Sequence, residues 1–362
     1  MRAAVFRGVG TPLTVEDVQT DSPGPHEVLI QTGATGVCRS DLHYVNGSRN
    51  IDTPAVLGHE ASGTVEVIGS RVSYVRPGDK VITCLSVFCG RCEMCVTGRP
   101  ALCSRAGVER DTSEPSRLYQ GGSRLTQLLN ISSFAEQMLV HENSVIKVDD
   151  DLPFEQLALI GCGVTTGIGA VINTAQVEVG SSVAVVGCGG VGLNCVQGAV
   201  LAGASQVIAI DQVDVKLAMA REFGATDVLD SSSVENIVET VRDLTGGGVD
   251  YSFEAIGSKT TAELAFTILA PAGTATLIGL FPEDTRLGLE AELFLSERKI
   301  QGCSMGSNRF RLDMPRYIEL YRQGRLKLDE LVSRRLKLDQ LDNAFDEMRR
   351  AQIARSVVVF DR

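Results

Sequence analysis

"VAVVGCGGVG", residues 183–192, is an apolar run that ends in three spaced glycines, Gly187-x-Gly189-x-x-Gly192. A bare GxGxxG is a weak signal, because glycine pairs occur in many turns. Its place here, after a strand-like run and at the start of a helix-like run, gives it weight. Gly187 permits the tight turn, Gly189 lets the backbone approach a pyrophosphate, and Gly192 lets helix and strand pack closely. A helix beginning at Gly190 and Val191 then offers free N–H groups and partial positive charge to phosphates. The next strand, "QVIAID", ends at Asp211, where an acid can accept hydrogen bonds from both adenosine ribose hydroxyls. It would repel a 2′-phosphate, which favours NAD over NADP; the plainer reading is that Asp211 caps the next helix. Lys216, in the first turn of that helix, is placed to help hold the ribose end.

Residues 183–204 carry no charge, and by length alone could span a membrane. Six glycines with Asn194 and Gln197 interrupt them, and the nucleotide turn explains them better. From about residue 164, strands alternate with helices: "SVAVVG", "QVIAI", "DVLD", "VDYSFEAIG" and "TATLIGL" against "VDVKLAMAREFG", "VENIVETVRDLTGG" and "AELAFTILAPAG". This alternation implies an α/β domain, a doubly wound parallel sheet with helices on both faces. The first half instead alternates short β-like runs with turns, "EVLIQTGATGV", "SGTVEVIG" and "GDKVIT", and reads as a compact, strand-rich, barrel-type domain. Polar residues 104–133 read as a long surface excursion. The tail after about residue 306, ending in "SVVVF", is expected to return to the first domain.

"FCGRCEMCVTGRPALC", residues 88–103, places Cys89, Cys92, Cys95 and Cys103 in sixteen positions. Disulfides, a metal site and reactive thiols compete to explain them. Ten cysteines in 362 residues do not make a disulfide scaffold. The N-terminus shows no apolar leader, so the expected address is the reducing cytoplasm. Four thiolates from one short loop match a closed tetrahedral zinc site at ~2.3 Å per bond, with no open position for chemistry. Zinc loops also serve nucleic acid, but a formal net charge of −11 argues against a polyanion partner. Only residues 309–335 are locally basic, and their charges are expected to form a solvated face.

Three further stretches hold metal-ligating types beside glycines: "GATGVCRSDLHYVNG" with Cys38 and His43, "LGHEASG" with His59 and Glu60, and "LIGCGVTTG" with Cys162. Two Cys and one His make a possible catalytic zinc set with a fourth position open. Spacing does not prove it, since a lone buried Cys is usually a small core hydrophobe.

Taken together, "GVCRSDLH", "GHE", the Cys89–Cys103 loop, "GCGVTTG" and "GCGGVG", in that order, resemble the zinc-containing medium-chain alcohol dehydrogenases nearly end to end. The resemblance implies a GroES-like barrel catalytic domain, residues 1–163 and 307–362, and an NAD-binding Rossmann domain, residues 164–306, with the active site in the cleft between. It implies that Cys38, His59 and Cys162 bind a catalytic zinc and that Cys89, Cys92, Cys95 and Cys103 bind a structural one. Ser40 would take the alcohol proton, which passes by way of the cofactor ribose to His43. Asp41 would orient His59, and Glu60 would lie behind the metal. Arg39 and Arg355 look like the family's pyrophosphate contacts; for Arg355, the plainer reading is a solvated charge. The implied reaction is oxidation of an alcohol to an aldehyde or ketone by hydride transfer to NAD.

Polyol dehydrogenases commonly carry a glutamate where Cys162 stands, so the resemblance favours the alcohol branch. Within it, a thiol-adduct formaldehyde dehydrogenase is the runner-up. Leu85 stands where many relatives carry an aromatic, and Ser40 is the smaller of the usual Ser/Thr pair. Both leave room for medium-length or bulky primary alcohols. In relatives the loop retained as 104–133 accompanies dimers, so a homodimer is expected. A zinc-bound nucleotide sensor on the same scaffold is the non-enzyme alternative, but such a copy would be expected to lose a ligand, Ser40 or His43. Cys84, Cys188, Cys195 and Cys303 match no ligand pattern and read as packing residues.

Overall fold

The computed structural model describes residues 1–111, 113–149, 151–350 and 355–360. The chain divides into two compact units. One comprises Met1–Gly163, Arg309–Gln323 and the chain from Leu328 onward; the other comprises Val164–Asn308 with Gly324–Lys327.

The first unit is strand-rich. Its longest strand, Glu27–Val37, is fully paired: Ala61–Ile68 runs along one edge, while Gln137–His141 and Ser356–Val359 share the other. The seven-stranded sheet continues through Lys80–Thr83 and Val145–Val148 on one side and Arg334–Leu336 on the other. The tail is thereby stitched into the strand that ends beside Cys38. Val28, Ile30, Ala61, Val65, Val81, Met138 and Val140 fill one core. Phe6, Leu42, Leu57, Phe134, Phe345 and Val358 fill a second.

Residues 104–133 are a surface excursion only in part: 113–115 and 121–124 are exposed, but other positions are tied into the fold. Short strands Leu118–Gln120, Ser123–Arg124 and Thr126–Gln127 form there, and Leu118, Leu125, Leu128 and Ile131 are buried. Two arginines of the segment close on one buried acid. Arg117 Nε donates to Glu27 Oε1 at 2.7 Å, and Arg110 Nε donates to the same oxygen at 2.9 Å. In the basic stretch 309–335, Arg309, Arg316, Arg322, Arg325 and Arg335 are exposed as a solvated face requires, while Arg311 is half-buried. The Arg311 guanidinium lies 3.9 Å from the Tyr74 ring centroid and donates to the carbonyls of Glu142 and Val145.

His141 ends the strand Gln137–His141, and its Nδ1 accepts from Asn143 N at 3.0 Å. Burial first, then the nearby Arg117, against an opposing pull from Glu142, pushes its pKa down to about 4. Between that value and the ordinary 6.5, the unfolded chain takes a proton that the folded chain refuses. Stability therefore rises with pH across this window and is lost as pH falls through it. His141→Asn keeps an acceptor for the Asn143 N–H. The loss of urea stability from pH 7.5 to pH 5 is expected to be about 2 kcal/mol smaller in this variant than in wild type.

The second unit carries a six-stranded, all-parallel sheet in the order 227–230, 206–211, 182–186, 249–254, 269–277, 299–302. By rank in the chain this is third-second-first-fourth-fifth-sixth, so the order reverses between Ser182–Val186 and Val249–Glu254. Residues 183–204 divide at the glycine turn into that strand and the helix Gly190–Ala202, which excludes a membrane span there. Among the described residues one helix, Phe154–Ala175, is long and apolar enough to cross a membrane, but 83% of its apolar window is buried inside the protein. The helix read from "VENIVETVRDLTGG" starts later, at Ile237, because the Asn236 side chain accepts from Glu239 N and caps it. Residues 324–327 join this unit, not the first. The Gln197 side chain accepts from Lys327 N and donates to Lys327 O, and Lys327 Nζ reaches Glu222 O.

Candidate active site

In the first unit the strand Glu27–Val37 delivers Cys38 to the start of the helix Arg39–Val45. Asp41, fully buried in the first turn, accepts from Cys38 N at 3.2 Å, Gly58 N at 3.0 Å and His59 Nδ1 at 3.1 Å. One carboxylate thus fixes both the cysteine turn and the imidazole. With Nδ1–H committed to Asp41, His59 turns Nε2 toward Cys162 Sγ, 3.4 Å away. Cys162 sits in a single π-turn, Ile160–Val164, that follows the helix Phe154–Leu159. Such π-turns recur at functional sites. The flanking glycines allow close approach: a Cβ at Gly161 would lie 2.6 Å from the Thr83 carbonyl oxygen, and one at Gly163 2.3 Å from Arg355 Nη2.

The sulfurs of Cys38 and Cys162 are 4.0 Å apart, and the three ligand atoms all lie within 4.8 Å of one another. Two ligands bound at ~2.3 Å and the tetrahedral angle would be separated by ~3.8 Å, so the donor set has the size a zinc ion requires. The electrostatics agree. Cys38 is held well below the usual thiol range, first by the Cys162 thiol and then by Arg355 and His59. Cys162 is raised by the Cys38 bond and by burial. Burial works against protonation of His59, yet Asp41 and Cys38 outweigh it and raise its pKa. Two thiols and an imidazole thus share protons at close quarters, and a divalent cation bound there would take the place of those protons.

Around the cluster, Ser40 Oγ lies 3.7 Å from Cys38 Sγ. His43 is three residues further on the same helix and so shares its face. Its pKa is lowered by burial, then by Arg39 and Arg49, which keeps it neutral near pH 7. Glu60 is fully buried, and its pKa is pushed up to about 7 by burial against the opposing pull of Arg355. Arg355 is not a solvated charge. It is 5% exposed, with Nη2 3.3 Å from Glu60 Oε2 and Nη1 donating to Val37 O at 3.3 Å. No local pattern signals that pairing, because 295 residues separate its partners. Arg39 is exposed.

The four loop sulfurs form a second cluster within 4.8 Å, with Cys92 and Cys103 3.8 Å apart. Backbone N–H groups of Cys89 and Arg105 donate to Cys103 Sγ, and that of Cys92 to Cys89 Sγ. Burial and then the neighbouring thiols push Cys95 up to about 12, while backbone N–H donors pull Cys92 down to about 6. Cys84, Cys188 and Cys195 are fully buried, as packing residues are.

In the second unit Gly187 adopts φ +98, which only glycine takes easily. Gly189 caps the helix Gly190–Ala202, and a Cβ on it would meet nothing within 4 Å, which leaves an open cradle. A Cβ on Gly192 would lie 1.7 Å from the Gly187 carbonyl oxygen. The N–H groups at Gly190, Val191 and Gly192 are the unpaired ones of a helix N-terminus. Asp211 does not cap the helix Asp214–Glu222: Oδ2 accepts from Cys188 N at 2.8 Å, and Oδ1 accepts from Gln212 N at 2.8 Å and Val213 N at 3.2 Å, all ahead of its first turn. Lys216 Nζ stands 3.7 Å from Asp211 Oδ2.

Residues 24–150 match the family described as alcohol dehydrogenase GroES-like domain, and residues 190–323 match that described as zinc-binding dehydrogenase. A curated relative from Schizosaccharomyces pombe, named probable S-(hydroxymethyl)glutathione dehydrogenase 1, is 38% identical over 99% of this chain and 96% of its own. Among solved structures, an alcohol dehydrogenase zinc-binding domain protein from Burkholderia ambifaria superposes with a TM-score of 0.95. It is 34% identical over 100% of this chain and 99% of its own. Benzyl alcohol dehydrogenase from Acinetobacter calcoaceticus gives a TM-score of 0.94 at 32% identity over 99% of both chains. With two cysteine-lined clusters of zinc dimensions and a dinucleotide turn in place, the chain belongs to the zinc-binding alcohol dehydrogenase family.

Proposed function

We propose that this chain oxidises medium-length or bulky primary alcohols to aldehydes, and runs the reverse, with NAD as hydride acceptor. The observation that carries the reading is the Cys38–His59–Cys162 donor set, three protein ligands gathered beside a serine hydroxyl. A zinc ion held there supplies Lewis acidity to the alcohol oxygen. Ser40 receives the hydroxyl proton, and neutral His43 passes it toward solvent. Asp41 keeps His59 in the ligating tautomer. Glu60 and Arg355 form a buried pair close to the ligands. Cys89, Cys92, Cys95 and Cys103 hold the second, structural ion. Gly187–Gly192 would cradle the pyrophosphate and Asp211, with Lys216 beside it, would meet the adenosine ribose, where a carboxylate favours NAD over NADP. We place the chain in the cytoplasm and read it as a homodimer.

The S. pombe relative's name favours a second reading, oxidation of a formaldehyde–thiol adduct. A panel of straight-chain and aromatic alcohols, followed by NADH absorbance with NAD or NADP and with or without added glutathione, separates the two. The expected result is kcat/KM that rises with chain length or an aromatic ring, independent of thiol. Turnover of formaldehyde only with thiol overturns the proposal in favour of the second reading.

A further inference from the structure

At the point where the parallel sheet reverses its order, the strand Val249–Glu254 ends in a fully buried carboxylate. Glu254 Oε1 accepts from Ile256 N at 2.9 Å, Gly257 N at 2.7 Å and Thr261 Oγ1 at 2.7 Å. Three donors converge on one oxygen. Oε2 has no hydrogen-bond partner among the described residues and lies against the next loop, where a Cβ at Gly279 would stand 2.6 Å from it. Gly279 also approaches Gly257, since the same Cβ would be 2.1 Å from Gly257 N. On the other side, Ala255 N donates to Val186 O at 2.9 Å, and Ile256 packs on the first glycine of the fingerprint, its Cγ1 2.4 Å from where a Gly187 Cβ would be. The turns after the first, fourth and fifth strands are therefore locked together, and Glu254 sits at their junction.

A buried carboxyl group is costly unless hydrogen bonds satisfy it. One that clamps a loop at the switch point, where ligands of such sheets bind, needs a function to justify its cost. We infer that Glu254 is a positioning residue for the dinucleotide: it holds residues 255–257, and through Ile256 the Gly187 turn, in the conformation that receives NAD. The inference rests on the dinucleotide reading above.

Glu254→Leu and Glu254→Gln test it, with NADH affinity measured by fluorescence titration and amide hydrogen exchange measured on the cofactor-free protein. Leucine removes all three acceptor bonds. It is expected to raise the NADH Kd by about tenfold or more and to speed exchange at Ile256 and Gly257. The kcat at saturating NAD is expected to change by less than about threefold. Glutamine keeps a carbonyl oxygen for the same donors and is expected to stay within about threefold of wild type in Kd. A folded leucine variant with unchanged Kd and unchanged exchange overturns the inference, as does a glutamine variant as impaired as leucine. Should leucine prevent folding, Thr261→Val decides, because it deletes one donor and keeps the carboxylate. Its Kd is expected to rise, and an unchanged Kd and exchange rate overturn the inference. Wild-type protein with no NADH affinity overturns the dinucleotide reading instead; the exchange arm, run without cofactor, tells the two failures apart.

Discussion

A Cys162→Ala variant will fold, carry one zinc ion per chain in place of two, and lose alcohol oxidation by at least about 10³-fold. The side chain is small, and its neighbours Gly161 and Gly163 are held by Thr83 and Arg355 on either side, so alanine leaves the packing in place. What it removes is one of three protein ligands. Cys38 and His59 remain, positioned by Asp41, but two donors do not close a zinc site. The loss of Lewis acidity is worth several kcal/mol of barrier, and each ~1.4 kcal/mol is tenfold in rate. Native mass spectrometry counts the metal, and NADH absorbance measures turnover. A variant with undiminished activity, or with two ions still bound, would remove the foundation of the proposed function. The loop cluster of Cys89, Cys92, Cys95 and Cys103 serves as an internal control, since it keeps its ion in the same protein.

The second large effect concerns stability. Replacing Glu27 by alanine is expected to cost about 3–5 kcal/mol, read from urea unfolding. Glu27 is 5% exposed and accepts from Arg110, Arg117 and Gly24 N. Arg117 is equally buried, so the variant strands a guanidinium without its counter-charge. Arg110 also loses Glu27 and keeps Asp21 at 2.6 Å. Because the two arginines belong to residues 104–133, early proteolytic cleavage of that segment is the second expected sign. Replacing Glu27 and Arg117 together by methionine should recover much of the loss, because the stranded charge goes with its partner. The Glu27 pKa is lowered: burial opposes this, but the bonds from Arg110 and Arg117 prevail. Its contribution is thus complete above the ordinary carboxylate pKa and is lost as pH falls through the lowered value. A Glu27→Ala protein as stable as wild type would show the network to be ornamental.

The residues that were legible and those that were not differ in one physical respect. The Cys89–Cys103 loop and the Gly187–Gly192 turn are local: a few residues of chain geometry bring the ligands or the N–H groups together, so spacing alone carries the chemistry. The period of the α/β half was equally readable, since each strand and helix states its own pattern. Cys38, His59 and Cys162 were visible as candidates because each stands among glycines, yet only the resemblance joined them.

Other features could not be read at all. Glu27 with Arg110 and Arg117, Glu60 with Arg355, Arg311 on Tyr74, and Glu254 at the junction of three loops are ordinary charged residues in ordinary surroundings. Segment 104–133 reads as solvated because it is polar and segment 309–335 because it is basic, and composition does not reveal when a charge has a buried partner. By itself the sequence determined the strand and helix pattern, the short-range metal loop and the nucleotide turn, because backbone sterics and hydrogen bonding act over a few residues. Only the tertiary structure decided which distant charges are buried together, because desolvation and pairing depend on which segments meet, and those segments lie from tens to hundreds of residues apart in the chain.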